Sequence, residues 1–113
     1  MHELGLCSQL YDTLISVMKD EELKEIYEVT LTIGEATGVV TRFMDECWPA
    51  VVENTVLSST KLKYNYVKVI GHCHNCENDY PVSENHGKCP KCGVEDYDML
   101  TGYEFEVTSI KAH

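Results

Sequence analysis

Two Cys-x-x-Cys pairs constrain this chain more than any other feature. Cys73-His-Asn-Cys76 is followed, after twelve residues, by Cys89-Pro-Lys-Cys92-Gly93. Each pair folds naturally into a tight turn that aims two sulfurs at one ion. Four thiolates then close a tetrahedral shell with no open position, which suits structural rather than catalytic zinc. Pro90 fixes one backbone angle of the second turn, and Gly93 can supply the positive φ such turns need. Two disulfides would be the competing use of these cysteines. The chain opens without a secretory signal pattern, so a reducing, cytoplasmic location is expected instead. Rubredoxin-like iron sites also use two such turns, and spacing alone does not separate iron from zinc.

The chain has 113 residues, 43% of them hydrophobic. That supports one small core plus a metal-stapled module. No run approaches the roughly 18 apolar residues of a membrane span. Zinc ribbons often bind nucleic acid, but they meet phosphates with a basic stripe. Here 19 acidic residues outnumber 9 basic ones, for a formal charge of −10. Glu77, Asp79, Glu84, Glu95 and Asp96 surround the cysteine turns. This balance argues against nucleic acid and suits a metal cation or a basic protein partner, although acidity also simply favours solubility.

Leu4, Cys7, Leu10 or Tyr11, Leu14 and Met18 recur at helical spacing and predict an amphipathic helix over residues 4–18. Cys7 and Cys47 read as small buried hydrophobes on helical faces. Residues 26–34 switch to period two, with Tyr27, Val29, Leu31 and Ile33 on one face of a half-buried strand. A second helix is expected between about Arg42 and Thr55, with Phe43, Cys47 and Val51 as its stripe and Val52 and Thr55 as further candidates for it. Pro49 lies inside it, so either a kink or a helix beginning near Asp45 or Glu46 is expected. Residues 61–70 and 103–110 read as further strands, with Tyr64, Tyr66 and Tyr103 as sheet or core residues; the pattern of the first shifts toward Val67 and Val69, where a bulge or an entry into the second module is expected. The expected fold is α+β: a small three-stranded sheet packed with two helices, and a zinc-ribbon-like module inserted before the last strand. Residues 1–70 and 99–113 would form one domain and residues 71–98 the zinc-binding domain.

Met1-His2-Glu3 offers a second, different ligand set. The bulk of His2 is expected to keep the initiator methionine in place. The free amine, the backbone nitrogen of His2 and its imidazole form adjoining chelate rings, and Glu3 adds a nitrogen or a carboxylate. Nitrogen-rich geometry of this kind suits Ni²⁺ or Cu²⁺ and is poor for Mg²⁺ or Ca²⁺. The plain alternative is an exposed terminal histidine. His72, His74 and His86 read as polar neighbours of the zinc turns, and His113 as a disordered end. No His-Glu-x-x-His, nucleophile motif or phosphate-cradling loop is present, so no enzyme is indicated.

Taken together, Met1-His2-Glu3-Leu4, Thr32-Ile33-Gly34-Glu35, the two cysteine pairs and Gly102-Tyr-Glu-Phe-Glu-Val-Thr-Ser-Ile110 resemble the HypA family of hydrogenase/urease nickel-incorporation proteins, across essentially the whole chain. The resemblance implies a nickel metallochaperone. Nickel, as transported cargo, would bind Met1, His2 and Glu3, and structural zinc would bind Cys73, Cys76, Cys89 and Cys92. It implies the nickel-related GTPase HypB and the [NiFe]-hydrogenase large subunit as partners, with urease as a second client in some members, and a transient homodimer in some. Two departures stand out: Pro49 in the second helix, and Val39-Val40 where some relatives carry an acidic residue. The competing readings are a zinc-ribbon interaction module without nickel delivery and a rubredoxin-like electron carrier.

Overall fold

The computed structural model describes residues 3–113. The element order is α1 (Glu3–Asp20), β1 (Ile26–Gly34), a 3₁₀ turn (Glu35–Thr37), α2 (Thr41–Val52), β2 (Lys61–Val67), β3 (Ile70–Cys73), β4 (Asp79–Pro81), a second 3₁₀ turn (Ser83–Asn85), β5 (Tyr97–Thr101) and β6 (Phe105–Ala112). One three-stranded sheet has the order β2-β1-β6, and a second has β4-β3-β5. The expected α+β architecture is therefore present: two helices, a small sheet and a cysteine module before the last strand. The second sheet is an addition. The shift of pattern at Val67 to Val69 is an entry into that sheet: residues 61–70 fall in two strands, divided at Lys68–Val69, with β2 in the first sheet and β3 in the second.

The chain forms two compact units. One contains Met1–Leu31, Val39–Asn65 and Val107–His113, and the other contains Thr32–Gly38 and Tyr66–Glu106. In the helical unit, α1 buries Cys7, Leu10 and Leu14, and β1 buries Val29 and Leu31. These positions follow the 3.6-residue and two-residue periods of their elements. Leu4, at the start of the α1 stripe, is instead 59% exposed. Cys7 is the expected small hydrophobe: burial pushes its thiol up to about 11, and it donates to the Met44 carbonyl oxygen at 3.7 Å.

The inward face of α2 differs from the expected one. Met44, Trp48 and Val52 are buried, while Phe43, Cys47 and Val51 are only half-buried. Both sets have the same four-residue spacing, so periodicity alone does not choose between them. Trp48 settles the register. It is 5% exposed, and its indole N–H donates to the Thr60 carbonyl at 3.1 Å. Thr60 in turn donates its hydroxyl to the Ile26 carbonyl at 2.7 Å. The helix begins at Thr41 rather than near Asp45, so Pro49 falls in its second half and not in its first turn.

Two tyrosines expected in the sheet or core are outward: Tyr66 is 55% and Tyr103 71% exposed. His113 is tied rather than loose, since its N–H donates to the Glu25 carbonyl and its own carbonyl accepts from Lys24. Among the described residues no helix is long and apolar enough to cross a membrane.

Candidate metal centre

The cysteine turns are mounted on the second sheet. Cys73 ends β3, which pairs antiparallel with β4 and with β5. The first turn closes through the Glu77 N–H donating to the Cys73 carbonyl at 2.9 Å, and the second through the Gly93 N–H donating to the Cys89 carbonyl at 2.7 Å. Gly93 does adopt a positive φ, of 77°. These turns bring Cys73, Cys76, Cys89 and Cys92 together, with all four sulfurs within 4.8 Å of one another. The Cys73–Cys92 and Cys76–Cys89 sulfurs are each 3.5 Å apart. Tetrahedral zinc with bonds near 2.3 Å places its sulfurs about 3.8 Å apart, so the cluster fits that ion. None of the six cysteines is in a disulfide.

The sulfurs are electrostatically unlike. Burial pushes Cys89 up, but the N–H groups of Cys92 and Lys91, with the Asn78 amide, outweigh it and bring the thiol down to about 6. The Asn78 nitrogen lies 3.7 Å from the Cys89 sulfur. The Asn75 side chain, followed by the Val94 N–H, holds Cys92 below its ordinary value. For Cys76 the Asn78 N–H lowers the pKa, yet burial and the three neighbouring sulfurs win and push it up to about 12. Four thiolates this close repel one another, and a dication relieves that repulsion. Buried Cys73, Tyr80 and Cys89, with Cys76, Val82 and Tyr97 around them, form the local core. The Tyr80 hydroxyl donates to the Gly87 carbonyl at 3.0 Å.

The histidines remain outside this cluster. His72 Nδ1 lies 2.6 Å from Asp79. His74 has Asp96 at 2.9 Å on Nδ1 and Asp98 at 2.7 Å on Nε2. Asp98, and then Asp96, hold that imidazole above its usual range. With a carboxylate oxygen at each ring nitrogen, the imidazole is engaged by acids on both sides and not by the sulfurs. His86 is exposed and caps the second 3₁₀ turn in the left-handed region.

The same unit grips the end of β1. The Glu35 carboxylate accepts from the Val69 N–H and from the Ser83 hydroxyl, each at 3.0 Å. The Val69 N–H first, and then the Ser83 hydroxyl, hold the Glu35 carboxyl below its usual range. A Cβ at Gly34 would sit 2.1 Å from the Gly102 carbonyl oxygen, so glycine is required for this approach.

Of the second ligand set, Met1 and His2 lie outside the described residues. Glu3 opens α1 and is 6% exposed. Its Oε2 accepts from the Val40 N–H at 3.1 Å. A cleft of about 300 Å³ lined by Glu3, Leu4, Phe43, Glu46 and Cys47 lies at this end of α1. Asn75, Asn78, Glu35 and Val40 are not among the sequence-predicted site residues. Asparagines within and just after a cysteine turn are a usable signal, whereas the partners of Glu35 and Val40 lie 34 and 37 residues away.

A family model described as "Hydrogenase/urease nickel incorporation, metallochaperone, hypA" matches residues 1–112. The hydrogenase maturation factor HypA of Caldanaerobacter subterraneus is 31% identical, covering 98% of each chain. The factor of the same name from Geotalea daltonii is 29% identical, covering 97% of each. The solution structure of the Ni metallochaperone HypA from Helicobacter pylori superposes with a TM-score of 0.70 at 23% identity, covering 99% of this chain and 97% of that one, which is a likeness of fold.

Proposed function

The chain belongs to the HypA family of hydrogenase/urease nickel-incorporation metallochaperones, and from that premise we propose that it carries Ni(II) on its N-terminus and delivers it for maturation of [NiFe]-hydrogenase, with urease as the other client class. The Met1 amine, the His2 backbone and imidazole nitrogens, and Glu3 are the cargo ligands. Cys73, Cys76, Cys89 and Cys92 hold a structural zinc ion, which supplies a rigid cross-link between the two turns when bound. Nickel binding falls to residues 1–70 and 99–113 and zinc binding to residues 71–98, a functional division drawn more narrowly around the cysteine turns than the compact unit of Thr32–Gly38 and Tyr66–Glu106 that contains them. The chain acts as a carrier rather than an enzyme, in the cytoplasm, and hands nickel to the GTPase HypB or to the hydrogenase large subunit.

The single observation that carries this reading is the Met-His-Glu start at the head of a family match spanning residues 1–112. A carrier must bind selectively yet release. Ligands that are neighbours in sequence serve that need, because a recipient's own ligands can displace them one at a time. The test is a nickel titration of zinc-loaded protein with its native N-terminus and no leading residues. His2→Ala should abolish high-affinity nickel uptake while zinc stays near one equivalent. Unchanged nickel affinity in that variant overturns the terminal site. Zinc without any specific nickel uptake in the parent protein favours an interaction module.

A further inference from the structure

We propose that the backbone N–H of Val40 is a positioning donor for the nickel site, holding the Glu3 carboxylate in place for the ion. This deepens the nickel-carrier reading and rests on it. Glu3 is the first residue of α1, next to the two residues that supply the other ligands in that reading. A carboxylate there would ordinarily share the freedom of a chain end. Instead, it is 6% exposed, with Oε2 3.1 Å from the Val40 nitrogen.

Val40 is well placed to hold it. It is the cap residue of α2, extended at φ −102° and ψ 113°. Its carbonyl accepts from Phe43 at 3.0 Å and Met44 at 3.3 Å. The first turn of α2 therefore fixes the residue from one side, while its N–H reaches Glu3 on α1 from the other. The Val40 side chain is 40% exposed, so its apolar surface is not what the position is built around. A hydrogen bond to a carboxylate is of the charge-assisted kind and orients its acceptor.

The experiment uses zinc-loaded full-length protein with the native N-terminus. Val40→Pro deletes the N–H, Val40→Ala keeps it, and Glu3→Asp retracts the carboxylate from it while keeping the charge. Nickel affinity, the nickel d–d absorption and visible circular dichroism, zinc content and far-UV circular dichroism are measured on each. Val40→Pro and Glu3→Asp should bind nickel roughly 10–100-fold more weakly, the range seen when outer partners of metal ligands are removed. Their d–d bands should shift. Val40→Ala should behave as the parent, and all three should keep zinc. Because Glu3 is itself a ligand, Glu3→Asp reports only on carboxylate placement; if Val40→Pro misfolds, an ester in place of the Val40 backbone amide, which removes the N–H alone, decides. Parent-like affinity and bands in a folded Val40→Pro, in the ester, or in Glu3→Asp, overturn the inference, and so does equal weakening in Val40→Ala. In those cases nickel loss in His2→Ala still leaves the carrier reading standing. Parent-like nickel binding in His2→Ala removes both.

Discussion

The helical unit buries large aliphatic and aromatic side chains, among them Leu14, Ile26, Leu31 and Trp48, whereas the local core of the cysteine module amounts to Tyr80 and two cysteines with Val82 and Tyr97 beside them. The first unit has enough apolar surface to leave water on its own account. The second has strands of three to five residues (β3 to β5) around a sulfur cluster. Small pieces of chain with so little core ordinarily need a metal or disulfides to fold. The difference teaches that one molecule can assign stability to two unlike forces, hydrophobic burial in one unit and ligation in the other, so that each can be removed separately.

The largest effect should come from removing the metal. Structural zinc contributes on the order of 10 kcal/mol to small metallo-domains. Chelation, or Cys89→Ser, should collapse the amide signals of residues 70–101 in an NMR spectrum while those of α1 and α2 stay dispersed. Cooperative loss of both sets would break the separation. Next comes Leu14→Ala, fully buried on α1, which should cost about 2–5 kcal/mol in denaturant unfolding of the helical unit, with zinc content unchanged. Trp48→Phe removes the indole bond to Thr60, and a further loss of about 1 kcal/mol in the same unit is expected from it.

The smallest effect sharpens the contrast in pH. Hydrogen bonds from Lys63, then from Lys111, hold the Glu28 carboxyl below its ordinary value of 4.5. A pKa depressed by folding contributes stability that is present above the unfolded value and lost as pH falls through the folded one. Glu28→Gln should therefore lower the neutral plateau of the helical unit's thermal stability slightly and flatten its acid limb, leaving stability at the acid end unchanged. A steep acid limb that persists in the variant would place the sensitivity elsewhere.

How much of this was legible depended on the range of the governing contact. The sulfur cluster follows from local spacing, and the Val29, Leu31 and Ile33 face of β1 from its period of two, but Tyr27 on that face is 43% exposed and Ile26 and Thr32 on the other are buried. The face of α2 did not follow, because Phe43-Cys47-Val51 and Met44-Trp48-Val52 are equally periodic and only the distant Thr60 carbonyl chooses between them. The second sheet was hidden because a three-residue strand such as Asp79–Pro81 carries too few residues to show alternation. Glu35 and Glu3 both look like surface acids, since their backbone partners lie more than thirty residues away. Leu4 misled in the other direction: it continues the α1 stripe but stands 59% exposed at the cleft it lines with Phe43, Glu46 and Cys47.

Glu35 bears on how freely such a protein can be cut and recombined. The stretch Thr32–Gly38 belongs to the same compact unit as Tyr66–Glu106, and it brings the carboxylate that receives the Val69 N–H and the Ser83 hydroxyl. A chimaera exchanging only the cysteine turns and their short strands would strand both donors and set a foreign Gly102 loop against Gly34, where there is no room for a side chain. The exchangeable piece is discontinuous, two lengths of sequence that must be inherited as a pair. Recombination within this fold is thus limited less by the metal ligands, which travel together, than by a carboxylate thirty-odd residues upstream of them.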